Sequence, residues 1–157
     1  MARFDTSGLD ELVKEMTKMG QQSGPLAECM VNSAVVVIRD CWKETAEKHR
    51  FHDTGDMIKS IGFPEPVRHI GSALARDVYP QGKDRNGTRN AEKAFLLHYG
   101  TTSHGATRIE ASHWVDEADE KSGPLVQERL EEIWNQFLES GGVVPPVQDT
   151  GGLVHNK

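Results

Sequence analysis

Cysteine is scarce in this chain: Cys29 and Cys41 are the two in 157 residues. Both fall in one expected helix, where twelve residues span about 18 Å. A disulfide needs Cα atoms within about 7 Å, so that helix excludes an intrachain bridge. Two lone cysteines also make no zinc site, and they read as small buried hydrophobes. Long apolar runs are missing as well. No stretch approaches the roughly 20 residues of a membrane span. Met1 to Asp5 lacks the apolar stretch of a secretory signal, so use in the cytoplasm is the expectation. Aromatics make up 6% and apolar residues 36% of the chain, which allows one domain with a modest core. Positive charge is in deficit, with 18 basic against 24 acidic residues and a net charge of −6. That balance argues against a dedicated DNA-binding protein, which usually presents a basic face.

The charge is unevenly distributed. Ile109 to Ser140 holds nine acids and two bases, whereas Arg39 to Arg108 holds twelve bases and nine acids. A basic middle and an acidic C-terminal segment could meet between neighbouring copies. Two solvated surfaces without a partner would carry the same pattern.

Apolar periodicity organises the chain. Leu9, Leu12, Val13, Met16 and Met19 follow helical spacing after Ser7, and Gly20 is a natural stop. Ser23-Gly24-Pro25 starts a longer helix with the stripe Leu26, Met30, Ala34, Val37 and Cys41, ending near His49 to Phe51. Val35 to Ile38 is β-branched, but its flanks are helical and free of turn residues, so it stays in that helix. Asp53 to Asp56 signals a turn, and Asp56 is expected to cap a short helix through Ser60. Val67 to Ile70 and Ala73 to Tyr79 read as a hairpin about Gly71-Ser72, ended by Pro80. Gln81 to Thr88 is expected to be an exposed, mobile loop. Arg89 to Tyr99 reads as a helix capped by Gly100, and Thr101 to Thr107 as a second loop. Ala111 to Lys121 and Leu125 to Leu138 read as two helices parted by Ser122-Gly123-Pro124. The fold class is therefore α+β: a small antiparallel sheet packed against a long helix, with further N- and C-terminal helices. Residues 1–140 form the expected single domain, and 141–157 a flexible tail.

No catalytic, cofactor or metal site emerges from spacing. His49, His52 and Asp53 lack a paired ligand motif. His98, His104 and His113 lie near Asp116 and Glu117, but Ser103 has no nucleophile elbow, so no triad forms. These histidines are expected at the surface or an interface. Gly100 to Gly105 lacks the lysine and spacing of a phosphate loop. Trp42, Trp114 and Trp134 each lie on an apolar helical face and are expected in the core. Lys83, Arg85, Arg89 and Lys93 cluster about the polar loop and could face an acidic neighbour. Glu128, Glu131 and Glu132 form the outward acidic face of the last helix. These seven residues are the candidate subunit interface.

One set of ordered segments goes further. Tyr79-Pro80-Gln81-Gly82, followed by Arg89-Asn90-Ala91-Glu92-Lys93-Ala94-Phe95-Leu96-Leu97-His98-Tyr99-Gly100-Thr101-Thr102, resembles the gene-product-ten tail-component family of lambdoid long-tailed phages. Thr54-Gly55-Asp56-Met57 with Ser60-Ile61, and the opening Gly8-Leu9-Asp10-Glu11-Leu12, resemble that family too. The likeness spans roughly residues 8 to 120 in order. It departs from the family at His98 and at Ser112-His113-Trp114.

The resemblance implies a structural virion protein without enzymatic activity, a tail-completion, neck or head–tail joining component acting as a homo-oligomeric ring. It implies as partners a head-completion or connector protein and the tail tube or tail terminator, with no membrane and no sequence-specific nucleic acid. Genomic DNA would pass through the ring. The site of action would be the virion, after assembly in the host cytoplasm. A tail-terminator ring and a small host-type enzyme or binding module are the alternatives.

Overall fold

The pattern over residues 23–48 becomes one uninterrupted helix. A computed structural model of the chain describes residues 7–51, 55–103 and 105–149. α1 (Ser7–Gln21) runs past Gly20 and turns at Gln22 into α2 (Ser23–Lys48). A Cβ added at Gly20 would meet nothing within 4 Å, so neither a close approach nor a turn requires glycine there. The β-branched run Val35 to Ile38 lies inside α2, with Val35 and Val36 buried. Its preference for strand is worth tenths of a kcal/mol per residue, less than burial of those side chains returns.

α2 pairs with α5 (Trp114–Glu139), and their packing forms the spine of the molecule. The late residue Ala46 of α2 shares a buried cluster with Trp114 at the start of α5, while the early Leu26 and Cys29 meet Ile133 and Phe137 near its end. The two helices are therefore antiparallel. Met57 and Ile58 of α3 (Asp56–Ser60), Ile61 of β1 (Ile61–Gly62) and Ala94 complete the first cluster. Polar contacts continue the seam outside it: the Trp42 indole N–H donates to Asp119 at 2.8 Å, and Lys121 pairs with Glu44 at 2.6 Å.

α5 corrects the expectation of two helices. It passes through Ser122, Gly123 and Pro124 without a break. An internal proline costs about 3 kcal/mol, because it deletes one helical hydrogen bond and crowds the preceding turn. Trp114, Ala118 and Ser122 anchor α5 before the proline, and Ile133 and Phe137 anchor it after. Burial on both sides keeps the axis continuous, and Ser122 Oγ donates to the Asp119 carbonyl at 3.0 Å.

The class is α+β, with the strands divided into three antiparallel pairs. β2 (Arg68–Ile70) and β3 (Ala73–Ala75) form the hairpin about Gly71-Ser72, with His69 opposite Leu74. Tyr79–Pro80 does not extend that hairpin but forms β4, which pairs with β1. Thr101 to Thr107 belongs to a second hairpin rather than a loop, β5 (Thr101–Ser103) with β6 (Ala106–Ile109). β1 and β3 lie against α2. Arg76 fixes the chain beside β3: its guanidinium donates to the carbonyls of Phe63 and Glu65 and to Asn32 Oδ1 on α2.

α4 (Asn90–Tyr99) ends as expected at Gly100. Its backbone there has φ 74° and ψ 177°, open to glycine. Asp56 does not cap α3. Gly55 occupies the cap in a left-handed conformation, and the Asp56 carboxylate binds Arg85 instead.

The expected flexible tail begins differently from residue 141. Val144 packs on the cluster of Leu26 and Phe137, the Cys29 thiol donates to the Pro145 carbonyl at 3.2 Å, and Asp149 pairs with Arg39 at 2.9 Å. The described part of the tail thus lies along α2 from Cys29 towards Arg39. Residues 150–157 lie outside the described residues, as do His52, Asp53, Thr54 and His104.

Candidate assembly surfaces and a histidine cluster

The polar segment 81–90 is built around a buried carboxylate, which corrects the expectation of an open loop. Asp84 Oδ1 accepts the backbone N–H groups of Asn86 and Thr88 at 2.9 and 2.8 Å, and Oδ2 pairs with Lys93 at 2.5 Å. The Asn90 side chain donates to the Gln81 carbonyl at 2.7 Å and closes the segment. Lys93, then burial in the opposite sense, then the two amides act on Asp84, and the net effect holds its carboxyl below the usual range. A carboxyl whose folded pKa is depressed adds stability above its unfolded value near 3.9, and loses it as pH falls through the folded value. Asp84→Asn is therefore expected to flatten the loss of thermal stability below about pH 4, measured as melting temperature against pH. An unchanged acid limb would show that Asp84 does not contribute.

The four basic candidates divide into two pairs. Arg85 grips Asp56 with two parallel bonds, Nη2 to Oδ1 at 2.9 Å and Nε to Oδ2 at 3.0 Å. Lys93 serves Asp84. These two cations tie the segment to α3 and α4 within the chain. Lys83 and Arg89 face each other across an antiparallel bridge, and both are exposed.

After Arg89, which precedes its first turn, α4 presents an aromatic pair. Phe95 and Tyr99 are 60% and 59% exposed, with ring centroids 4.7 Å apart. Residues four apart share a helical face, and this one turns away from the core that holds Ala94 and Leu97. Spacing alone did not distinguish the two faces, because α4 is apolar on both.

The acidic candidates lie on the exposed side of α5. Glu132 pairs with Arg129 at 2.8 Å, and Glu131 accepts from Gln127 at 3.2 Å. Glu128 and Glu132 border a groove between α2 and α5, whereas Glu131 borders a shallow notch with Gly123, Val126, Leu130 and Trp134. Trp134 is 46% exposed and Leu138 is also exposed, which corrects the expectation that Trp134 is a core residue. Phe137 takes the inward position one helical step away. α1 likewise leaves Leu12, Val13 and Met16 exposed.

The histidines separate by environment. His49 Nε2 donates at 2.7 Å to the Glu117 carboxylate, which Lys48 also binds. Lys48, then His49, hold the Glu117 carboxyl below its usual range. His98 is buried, contrary to the surface expectation, and lies against His113 and Asp116. Both cysteines are buried and free. Among the described residues no helix is long and apolar enough to cross a membrane.

No family model, curated protein or solved structure matches this chain.

Proposed function

We propose that the chain is a structural virion protein of a long-tailed phage or prophage, a tail-completion or neck component forming a ring at the head–tail junction or tail end. Its partners would be copies of itself, a head-completion or connector protein, and the tail tube or terminator. The ordered segments from Tyr79 to Thr102 support the role. They correspond to β4, the Asp84 turn, α4 and the start of β5.

One observation carries the means of assembly. The chain leaves two apolar patches uncovered, one on the helix that follows two exposed cations and one bordered by a carboxylate. Phe95 and Tyr99 are exposed on α4, the helix that follows the exposed Lys83 and Arg89 in the chain. Leu130 and Trp134 on α5 border a notch with Glu131, while Glu128 and Glu132 line the groove with α2 on another side of the same helix. Two different patches that match each other make a heterologous contact, the kind that closes into a ring. Aromatic and arginine side chains dominate such contacts, and the edge charges set register and encounter rate.

Reversing Glu128, Glu131 and Glu132 to lysine is expected to abolish oligomers in sedimentation velocity. Reversing Lys83 and Arg89 to glutamate is expected to do the same. Mixing the two variants should restore rings, with the variants alternating. Rings in either variant alone would overturn this contact. Virions assembled without the protein should appear in electron micrographs as separate filled heads and tails; normal virions would refute the junction role.

A further inference from the structure

The turn after α4 brings His98 to two side chains, His113 and Asp116, that sequence spacing keeps apart from it. Gly100 and the β5–β6 hairpin return the chain so that the Ser112 N–H donates to the Leu97 carbonyl and the His113 N–H to the His98 carbonyl, both at 3.1 Å. Two consecutive backbone bonds thus pin the residues before α5 to the last turn of α4. The rings of His98 and His113 meet edge to face with centroids 5.3 Å apart. Asp116 follows three residues after His113, in the first turn of α5. Its Oδ2 lies 3.4 Å from His113 Nδ1 and 3.8 Å from His98 Nε2. One ligand atom from each of the three residues lies within 4.8 Å of the other two.

These separations are long for hydrogen bonds; the 3.4 Å one already suits two ligands of a common ion, and the others would shorten as the exposed His113 and Asp116 side chains close on it. In a tetrahedral zinc site with bonds of about 2.0–2.1 Å, neighbouring ligand atoms stand about 3.3 Å apart. We propose that His98, His113 and Asp116 form a three-ligand site for a divalent transition metal of the zinc class. Two imidazoles and one carboxylate are ligands that such ions take. Asp116 supplies the negative charge that offsets the positive end of α5. The fourth position opens to solvent, since the side chains of His113 and Asp116 are 62% and 64% exposed.

Two further features belong to the same site. The His98 side chain is 8% exposed, so burial fixes its ring before any ion arrives. His113 holds φ 50° and ψ 28°, a left-handed conformation that costs a residue with a side chain of its own. That conformation aims its ring across at His98. Coordination through Nε2 of His98 moves the ring proton to Nδ1. The long 3.4 Å contact from the Val115 N–H to Nδ1 is then given up for the metal bond. The bound ion would tie the end of α4 to the start of α5. Neither histidine belongs to the two patches above, although the His98 ring meets the Tyr99 ring edge to face at 4.4 Å.

Cobalt(II) is the probe, added to the full chain freed of metal by a chelator and dialysis. The expected result is one equivalent of saturable binding, with visible ligand-field absorption that zinc abolishes. Zinc should also raise the melting temperature, since an ion that binds the folded chain alone stabilises it. His113→Asn accepts the left-handed backbone, and Asp116→Asn removes the charged ligand. Each should weaken cobalt binding by about ten-fold or more, a loss that even supporting residues around metal ligands produce. His69→Gln, on the exposed strand β2, should bind as the parent does. Absence of saturable binding at about 1 mM cobalt, the weak limit of useful affinity, would overturn the site. So would undiminished binding in both ligand variants, or loss of binding in His69→Gln.

Discussion

Trp114→Ala is expected to lower the unfolding free energy by about 3–5 kcal/mol, the range for deleting a fully buried large aromatic. Trp114 is 0% exposed and stands where α2, α3, α4 and α5 converge. Its ring meets Trp42 edge-on at 5.4 Å and Phe51 at 6.0 Å, and its indole N–H reaches the Ala94 carbonyl at 3.4 Å. Alanine would leave a cavity that four rigid elements cannot close together. A domain of this size has about 5–15 kcal/mol in total, so the variant should sit near the margin of folding. Urea denaturation followed by circular dichroism measures this. The midpoint should fall while the slope stays constant, as expected when surface exposed on unfolding is unchanged. A loss below about 1 kcal/mol, an ordinary single-substitution effect, would mean that the convergence point does not hold the elements together.

Gly100→Ala is expected to cost about 3 kcal/mol or more, from a strained backbone of about 1–3 kcal/mol with a steric clash added. A Cβ at this position would stand 2.6 Å from the Ile109 carbonyl oxygen and 2.7 Å from the Ala111 nitrogen. Both are backbone atoms, so no rotamer change can relieve the contact. The segment leading to His113 would have to move, and cobalt binding should be lost along with stability. Gly105→Ala is the control. Gly105 also has positive φ, but nothing lies within 4 Å of its Cβ position. It should show the backbone strain alone, about 1 kcal/mol, and keep the metal response. Equal losses in the two variants, read from thermal melts, would remove the close approach at Gly100 as the cause.

The helical elements were legible because their signals are local. Leu26, Met30, Ala34, Val37 and Cys41 repeat at the pitch of one helix, and Gly100 and Gly141 end two others. Gly71-Ser72 marks a hairpin for the same reason. The failures are equally specific. Pro124 signals a stop within its own turn, but the decision belongs to Trp114 and Phe137, each more than two turns away on α2's surface. The β5–β6 hairpin pairs strands of three and four residues, too short for alternation to register. Asp84 looked like one more polar loop residue, because neither Lys93 nor the amides of Asn86 and Thr88 announce that they converge on it. Of the seven interface candidates, Arg85 and Lys93 turned out to serve the chain's own carboxylates.

Composition and periodicity determined that this is an α+β chain with α2 as its central element and a basic middle before an acidic α5. Those properties follow from interactions within a few residues or from simple sums of charge. Tertiary structure alone decided which apolar faces stay uncovered. Phe95, Tyr99 and Trp134 have the same character as their buried neighbours, and what separates them is which side α2 and the first core cluster occupy. It also decided that His98 meets His113 and Asp116. Their contact depends on a glycine turn and a hairpin that fold fifteen residues back on themselves, and no spacing rule along the chain carries that geometry.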